Sequence, residues 1–132
     1  RYYYRQFPLN GDCNQKLSTR MHPDACLASS AAICAQQQGK FFEMHDALYA
    51  QGTSALDQTA LEGVAQKLRL NLARFRACLT AASTLKQIQA DATAGSAAGV
   101  NGTPYVFVGT RTTGPSKLTP VTVESFEKLL SP

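Results

Sequence analysis

The sequence predicts an α/β fold made of a strand, about five helices, a strand hairpin and a last helix. Three observations predict it. Residues 1–9 form a strand pattern rich in aromatic side chains, and residues 103–108 form the clearest strand pattern in the chain. Between them, over about residues 22–98, apolar side chains recur at helical spacing. A helical block inserted between strands of one sheet is an α/β arrangement, and 132 residues have the length of a single domain, 1–132.

The first strand leads into a polar turn and then into the first helix. Residues 1–9 read RYYYRQFPL, and Pro8 ends the strand pattern. Pro23 suits the first position of a helix, and Asp24 favours the positive end of its dipole. Gly39 is expected to end this helix.

Four further helices are expected before the second strand. The second spans residues 40–52, the third is capped by Ser54 or Asp57, the fourth begins at Asn71, and the fifth runs from about 83 to 98. The second helix has a stripe predicted to face the core, namely Phe41, Met44, His45, Leu48 and Tyr49. The apolar faces of the third and fourth comprise Leu61, Val64, Ala65, Leu68, Leu72, Phe75, Cys78 and Leu79. Small residues on the fifth predict a close approach to a neighbour; these are Ala90, Ala94, Gly95 and Ala98.

A hairpin and a last helix complete the pattern. After strand 103–108 comes a turn rich in Gly and Thr, and a short strand near residues 117–118 would complete the hairpin. The last helix is predicted over residues 121–130, begun by Pro120 or capped by Thr122.

Composition excludes several classes of protein. No apolar run approaches the ~20 residues of a membrane-spanning helix. The formal net charge is +4, but Lys and Arg are scattered, and the basic stretch at residues 67–76 is interpreted as a solvated helical face. Because the chain has neither a phosphate-binding loop nor interleaved basic and aromatic residues, no nucleic-acid partner is predicted. His22 and His45 are interpreted as a capping and a packing residue.

The four cysteines, Cys13, Cys26, Cys34 and Cys78, are separated by 13, 8 and 44 residues. None of these gaps is that of a Cys-x-x-Cys pair, and only two histidines accompany them, so neither a metal nor another cofactor is expected. Two disulfides formed in an oxidising compartment are one interpretation. Buried free thiols are the alternative.

Several segments resemble the DsbA-like branch of thioredoxin-fold proteins, a family of thiol-disulfide oxidoreductases. Residues 99–104 (GVNGTP) followed by YVFV are similar to the cis-proline segment of that fold. The helical block resembles the DsbA-like insert in residues 34–46 (CAQQQGKFFEMHD) and 75–79 (FRACL). Residues 7–9 (FPL) before CN, and 22–26 (HPDAC), resemble bacterial DsbA-like domains, including those fused to vitamin K epoxide reductase homologues. The resemblance covers the whole chain and implies a thioredoxin fold with a helical insert over about 22–98.

The fold implied is incomplete. In that family a strand and a helix carrying Cys-x-x-Cys precede the segment with which this sequence begins, and the strand is the central one. The resemblance therefore implies a domain truncated at its N-terminus, with unpaired strand edges. Three outcomes are compatible with the missing central strand. The remaining strands close the gap, another chain supplies the strand by swapping, or the parent protein contains the segment. A truncated fragment is the preferred interpretation, and self-association through the exposed edge is compatible with it.

The substrate-binding residues implied by the resemblance are Thr103 and Pro104. About one X-Pro bond in twenty is cis, so the residues alone favour trans, whereas the family implies cis. In the family the backbone beside this proline pairs with the cysteine-containing segment of the substrate. Thr103 would then face the active-site sulfur. No catalytic residue is predicted, because Cys-x-x-Cys is absent from the chain.

The cysteines of this chain are expected to be structural. Cys26 lies early in a helix, and Cys13, across a polar loop, is its expected partner. A relay of electrons to a catalytic pair is the alternative role of that bond. Cys34 and Cys78 lie on apolar faces of different helices, where a disulfide is preferred to two packed thiols.

The predicted function follows from the resemblance. It implies a fragment of a bacterial periplasmic or otherwise extracytoplasmic oxidoreductase that acts on cysteine-containing secreted polypeptides, the fragment itself being inactive. It also allows a membrane quinone-linked redox partner of the vitamin K epoxide reductase type. The alternative is a non-catalytic thioredoxin-like module that binds extended peptides or a partner through Thr103 and Pro104.

Overall fold

The computed structural model describes residues 2–52, 55–108, 119–122 and 124. Its elements are α1 (Ala25–Gln36), α2 (Phe41–Ala50), α3 (Gln58–Lys67), α4 (Leu72–Leu79), α5 (Ala82–Ala97), β1 (Val106–Val108) and β2 (Thr119–Val121). The chain divides into two compact units, Arg1–Gly95 and Ser96–Pro132. The five described helices followed by a β-hairpin agree with that part of the predicted order.

The N-terminal segment, residues 2–8, is not a strand, which corrects the first prediction. A strand needs a neighbour to complete its backbone hydrogen bonds, and no described strand pairs with this segment. The segment is instead bonded to α5 through one side chain. The Gln6 N–H donates to Asp91 Oδ2 at 3.1 Å, and the Arg5 guanidinium donates to Asp91 Oδ1 at 2.8 Å.

Helix α1 begins and ends near the predicted residues. Asp24 is its N-cap, but the carboxylate does not cap the helix. It accepts from the Leu56 N–H at 3.0 Å and so links the start of α1 to the segment before α3. Beyond the other end, Gly39 has φ of 73°, a left-handed conformation that a side chain would strain.

Side-chain caps begin α3 and α4, as predicted. Asp57 Oδ1 accepts from the Ala60 N–H at 2.8 Å, and Asn71 Oδ1 accepts from the Arg74 N–H at 2.9 Å. Each bond satisfies a backbone donor that the first helical turn leaves without a partner.

The main core of the first unit lies among α1, α2, α3 and α4. Its buried members are Ala31, Cys34, Ala35, Met44, Leu61, Val64, Ala65, Leu70, Phe75 and Cys78. The predicted apolar faces of α3 and α4 supply half of them. A smaller cluster contains Cys13, Ile33 and Ile88 and joins the loop after the N-terminal segment to α1 and α5.

The predicted α2 face is right in part. Met44 is buried and Leu48 packs against the main core, but Tyr49 is 73% exposed. The predicted α5 face is wrong, because Ala90 and Ala94 on α5 and Ala98 just beyond it are exposed. The residues buried on α5 are Thr84, Ile88, Asp91 and Ala92. Two polar residues can be buried there because each has partners: the Thr84 hydroxyl donates to the Cys78 carbonyl at 2.8 Å, and Asp91 is bonded as described above.

The second unit contains an antiparallel hairpin. Val106 pairs with Val121, Phe107 with Pro120 and Val108 with Thr119. The described part of the second strand is Thr119–Val121, and the predicted residues 117–118 lie outside the described residues. Pro120 belongs to this strand and does not begin a helix. Proline has no N–H to donate, so it is tolerated at a strand position that needs no donor. The turn and most of the predicted helix 121–130 lie outside the described residues.

Candidate functional site

The Cys13–Cys26 disulfide joins the loop after the N-terminal segment to the second residue of α1, with the two Cα atoms 5.8 Å apart. Cys13 is buried and Cys26 is partly buried. Because the Cys26 sulfur is in a disulfide, it cannot act as a thiolate. The start of α1 would stabilise a thiolate at this position, but the oxidised chain has no nucleophile there.

Two buried asparagines order the loop that contains Cys13. Asn10 Nδ2 donates to the Pro23 carbonyl at 2.8 Å, and its Oδ1 accepts from the Asp12 N–H at 2.9 Å. Asn14 Nδ2 donates to the Pro8 carbonyl at 3.0 Å. These side chains replace the backbone hydrogen bonds that an irregular buried loop lacks. Their burial was not predicted, because a turn composition carries no signal of burial.

The Cys34–Cys78 disulfide joins α1 to α4 inside the main core, with the two Cα atoms 5.7 Å apart. The Thr84 hydroxyl lies 3.5 Å from the Cys78 sulfur. All four cysteines are thus bonded in pairs, and the chain in this state offers no thiol for attack on a substrate disulfide.

The segment around Thr103 and Pro104 immediately precedes β1 in the second unit. The Thr103–Pro104 peptide bond is cis. Thr103, Pro104, Tyr105 and Val106 are all exposed, although the last two are apolar. The Tyr105 ring packs at 5.0 Å, centroid to centroid, from the ring of Phe107. The segment therefore presents an accessible backbone beside apolar side chains, the two requirements for binding an extended peptide.

An aromatic cluster on the first unit was not predicted. It comprises Tyr2, Tyr4, Phe41, Phe42, His45 and Tyr49. Tyr4 lies at its centre, with ring centroids 4.9 Å from Phe41 and 5.4 Å from His45. His45 Nδ1 also lies 3.0 Å from Asp46 Oδ1. The packing role predicted for His45 is therefore correct, but its partners are surface aromatics and not a buried core.

Partial burial of the Tyr4 phenol, reinforced by the nearby Tyr49 hydroxyl, raises its pKa to about 12. The phenol therefore stays neutral and can donate a hydrogen bond at any physiological pH. A cavity of about 140 Å³ opens beside this ring, with Gln6, Gln36, Gln87 and Asp91 among its lining residues. Both oxygens of Asp91 accept hydrogen bonds, and its charge is paired with that of Arg5.

No metal site is found in the part of the chain that the structure describes, where no three side chains of His, Cys, Asp or Glu could hold an ion. Several carboxylates there are instead paired with cations. The Arg76 guanidinium donates to Glu62 Oε2 at 2.6 Å and, with the Gln58 amide, lowers the pKa of that carboxyl to about 2.

A profile of the family described as Thioredoxin matches residues 1–131. The chain belongs to the thioredoxin family. Residues of both units are therefore parts of one thioredoxin-family sequence, including the helices before α5 and the segment at Thr103 and Pro104.

Curated relatives of this thioredoxin-family chain are membrane transporters by name. It is 39% identical over 116 residues to the Na⁺/H⁺ antiporter NhaA 3 of Salinispora tropica, covering 87% of this chain. It is 38% identical over 111 residues to the Na⁺/H⁺ antiporter NhaA 1 of Salinispora arenicola, covering 84%. In each case the match spans 16% of the relative's length. Among the helices described for this chain, none has the length and apolar character needed to cross a membrane.

Proposed function

We propose that this chain is part of an extracytoplasmic, DsbA-like thiol-disulfide oxidoreductase domain, in which it supplies the substrate-binding segment at Thr103 and Pro104. The observation that carries the proposal is the exposed run from Thr103 to Val106 at the start of β1 in a thioredoxin-family chain. The catalytic dithiol would come from a Cys-x-x-Cys pair that these 132 residues do not contain.

The two disulfides support this division of roles. Both sulfurs of Cys34–Cys78 lie in the main core, and Cys13 is buried in the second bond. A catalytic disulfide needs an accessible sulfur for the incoming thiolate. Bonds placed in this way stabilise the helical block, and their presence is compatible with an oxidising compartment.

An insulin-reduction assay tests the catalytic half of the proposal. The polypeptide of 132 residues should show no turnover above the background of the reductant. The parent protein should show turnover, and its gene should encode Cys-x-x-Cys ahead of Arg1. A parent gene without such a pair contradicts the proposal, as does turnover by the isolated chain.

A substitution tests the binding half. Thr103→Lys in the parent protein should raise KM for a cysteine-containing peptide, because a long charged side chain obstructs the exposed segment. The matched control is Thr59→Lys, at an exposed position on α3. Equal kinetics for the two variants would exclude Thr103 from the substrate-binding surface.

A second function is favoured by the two named relatives. The chain would then be a non-catalytic thioredoxin-like module of an Na⁺/H⁺ antiporter, held near a membrane and binding a polypeptide partner through the same exposed segment. The gene decides between the two functions. A transporter sequence adjoining this domain, without Cys-x-x-Cys, supports the second, and it predicts peptide binding without turnover.

A further inference from the structure

Three exposed cations surround the turn that joins α3 to α4. Lys67 is the last residue of α3, Arg69 lies in the turn, and Arg74 lies in the first turn of α4. Within the described part of the chain, none of the three has a carboxylate at ion-pair distance. The neighbouring Arg76 differs, because its guanidinium is bonded to Glu62.

Two of these cations occupy positions where the local backbone favours other residues. Arg69 has φ of 59°, and glycine is the usual residue in this left-handed position after a helix. Arg74 places a positive charge in the first turn of α4, where the helix dipole favours an acidic side chain. The dipole of α4 therefore gives no reason for the charge of Arg74, and the backbone at Arg69 gives no reason for a side chain there, whereas a partner outside the chain explains both.

The turn holds these side chains on a rigid base. The Leu70 N–H donates to the Ala65 carbonyl at 2.9 Å, and the Leu70 side chain is buried in the main core. The Asn71 N–H donates to Gln38 Oε1 at 2.8 Å, which attaches the turn to the residues after α1. A fixed backbone reduces the conformational entropy lost when the three side chains bind one partner.

We propose that Lys67, Arg69 and Arg74 form a docking surface for the anionic headgroups of a phospholipid membrane. The unpaired positive charge complements such a surface, and each cation near it strengthens binding by about fivefold. The choice of a membrane over an acidic protein rests on the second candidate function, in which the domain adjoins a transporter. A tethered domain needs only weak contacts to be held at the surface, because tethering raises its effective concentration.

Vesicle cosedimentation tests this docking surface with the isolated chain. At low ionic strength, where charges act over longer distances, the chain should bind vesicles of equimolar phosphatidylglycerol and phosphatidylcholine and release them as NaCl is added. It should not bind vesicles of phosphatidylcholine alone. Arg74→Gln should weaken binding by about fivefold, and Arg74→Glu by about 25-fold, since reversal changes twice the charge.

A matched control separates the surface from net charge. Lys16→Glu reverses an exposed cation in the loop after the N-terminal segment, so it changes the net charge as much as Arg74→Glu. Vesicle binding by Lys16→Glu should stay within about twofold of that by the unsubstituted chain, because salt screens charges that lie far from the membrane surface. Equal weakening by both variants would mean that net charge alone drives binding and would overturn the docking surface. So would binding to neutral vesicles, or no binding to acidic ones.

Two further measurements complete the test. Arg74→Glu should raise the midpoint of thermal unfolding, because it places an acid at a helix start; a lower midpoint would show a structural role and overturn the functional one. Polyglutamate at the same charge concentration should bind more weakly than the acidic vesicles do, and tighter binding would assign the surface to an acidic polypeptide. Since no arm measures thiol chemistry, failure here leaves the oxidoreductase proposal unaffected.

Discussion

Asp91 shows how a single side chain can organise a segment far away in the sequence. It lies on α5, is 6% exposed, and accepts hydrogen bonds from the backbone of Gln6 and from Arg5. A buried carboxylate is costly unless its oxygens are bonded, and here both are. The N-terminal segment is attached to the helical block largely through this residue and the aromatic cluster.

Asp91→Ala is expected to lower the free energy of unfolding by about 1–3 kcal/mol, because the Gln6 N–H loses its buried acceptor. Arg5→Ala is the matched control. The Arg5 side chain is 75% exposed, so its removal should cost about 0–1 kcal/mol. Urea denaturation of both variants measures the difference, and equal costs would show that the ion pair, not the backbone bond, carries the stability.

The Tyr4 phenol should ionise only at strongly alkaline pH, because its pKa is raised to about 12. Because the folded-state pKa is raised, the stability linked to it is fully present below pH about 10 and is lost as the pH rises through about 12. Tyrosinate absorbance measures this ionisation in the folded chain. Tyr4→Phe should remove the component of the titration near pH 12, and a wild-type curve without that component contradicts the partial burial of the Tyr4 phenol.

At the scale of elements, helix ends and cross-links define the first unit. Asp57 and Asn71 begin α3 and α4 through local hydrogen bonds, and the Cys34–Cys78 bond ties α1 to α4. Caps depend on residues two or three apart, whereas the cross-link joins residues 44 apart. The unit therefore combines local determinants of each helix with one covalent bond that brings two helices together.

The turn after α3 should tolerate glycine better than arginine. Arg69→Gly is expected to raise the free energy of unfolding by about 0.5–1 kcal/mol, because glycine adopts φ of 59° without steric cost. Gly39→Ala, after α1, is the reverse control. No atom lies within 4 Å of the added Cβ, so any loss there comes from the backbone conformation alone. A less stable Arg69→Gly variant would mean that the arginine side chain makes stabilising contacts.

The two disulfides should differ in stability and in accessibility. Loop closure predicts a loss of about 4 kcal/mol for the pair Cys34→Ala with Cys78→Ala, and about 3 kcal/mol for Cys13→Ala with Cys26→Ala. Limited dithiothreitol should open Cys13–Cys26 first, because Cys26 is the more accessible sulfur. Trapping with iodoacetamide and peptide mapping gives the order, and prior opening of Cys34–Cys78 contradicts it.

At the scale of the whole molecule, a family sequence of two units carries all its cysteines in the first one. The predicted substrate-binding segment lies in the second unit, before β1. Stability and binding are therefore assigned to different parts of the chain. The redox state of the compartment affects the first unit directly, because its two disulfides form only when their thiols are oxidised.

Intact-mass measurement tests this dependence on compartment. Protein exported to an oxidising compartment should take up no alkylating agent before reduction and four adducts after it, one for each cysteine. Protein made in a reducing compartment should be alkylated without reduction and should unfold at lower denaturant, because both loops are then open. Four free thiols in the exported protein would contradict both the pairings and the extracytoplasmic location.

Features that depend on neighbours a few residues apart could be predicted from the sequence. Helix periodicity, the caps Asp57 and Asn71, and the turn at Gly39 are set by local geometry, which is why they could be predicted. The two cysteine pairings were also expected from the chain, and so was the exposed segment's place before a strand. The family resemblance supplied the thioredoxin fold that no local pattern encodes.

Which faces are buried and which segments pair could be seen only in the folded chain. Asp91 can be buried because Gln6 and Arg5, which lie 85 and 86 residues away in the sequence, donate hydrogen bonds to it. Pro120 is in a strand because it pairs with Phe107. The aromatic cluster likewise joins residues 2–4 to α2. Burial and pairing depend on contacts between distant residues, whereas periodicity reports only one element, so these features could not be predicted from the chain.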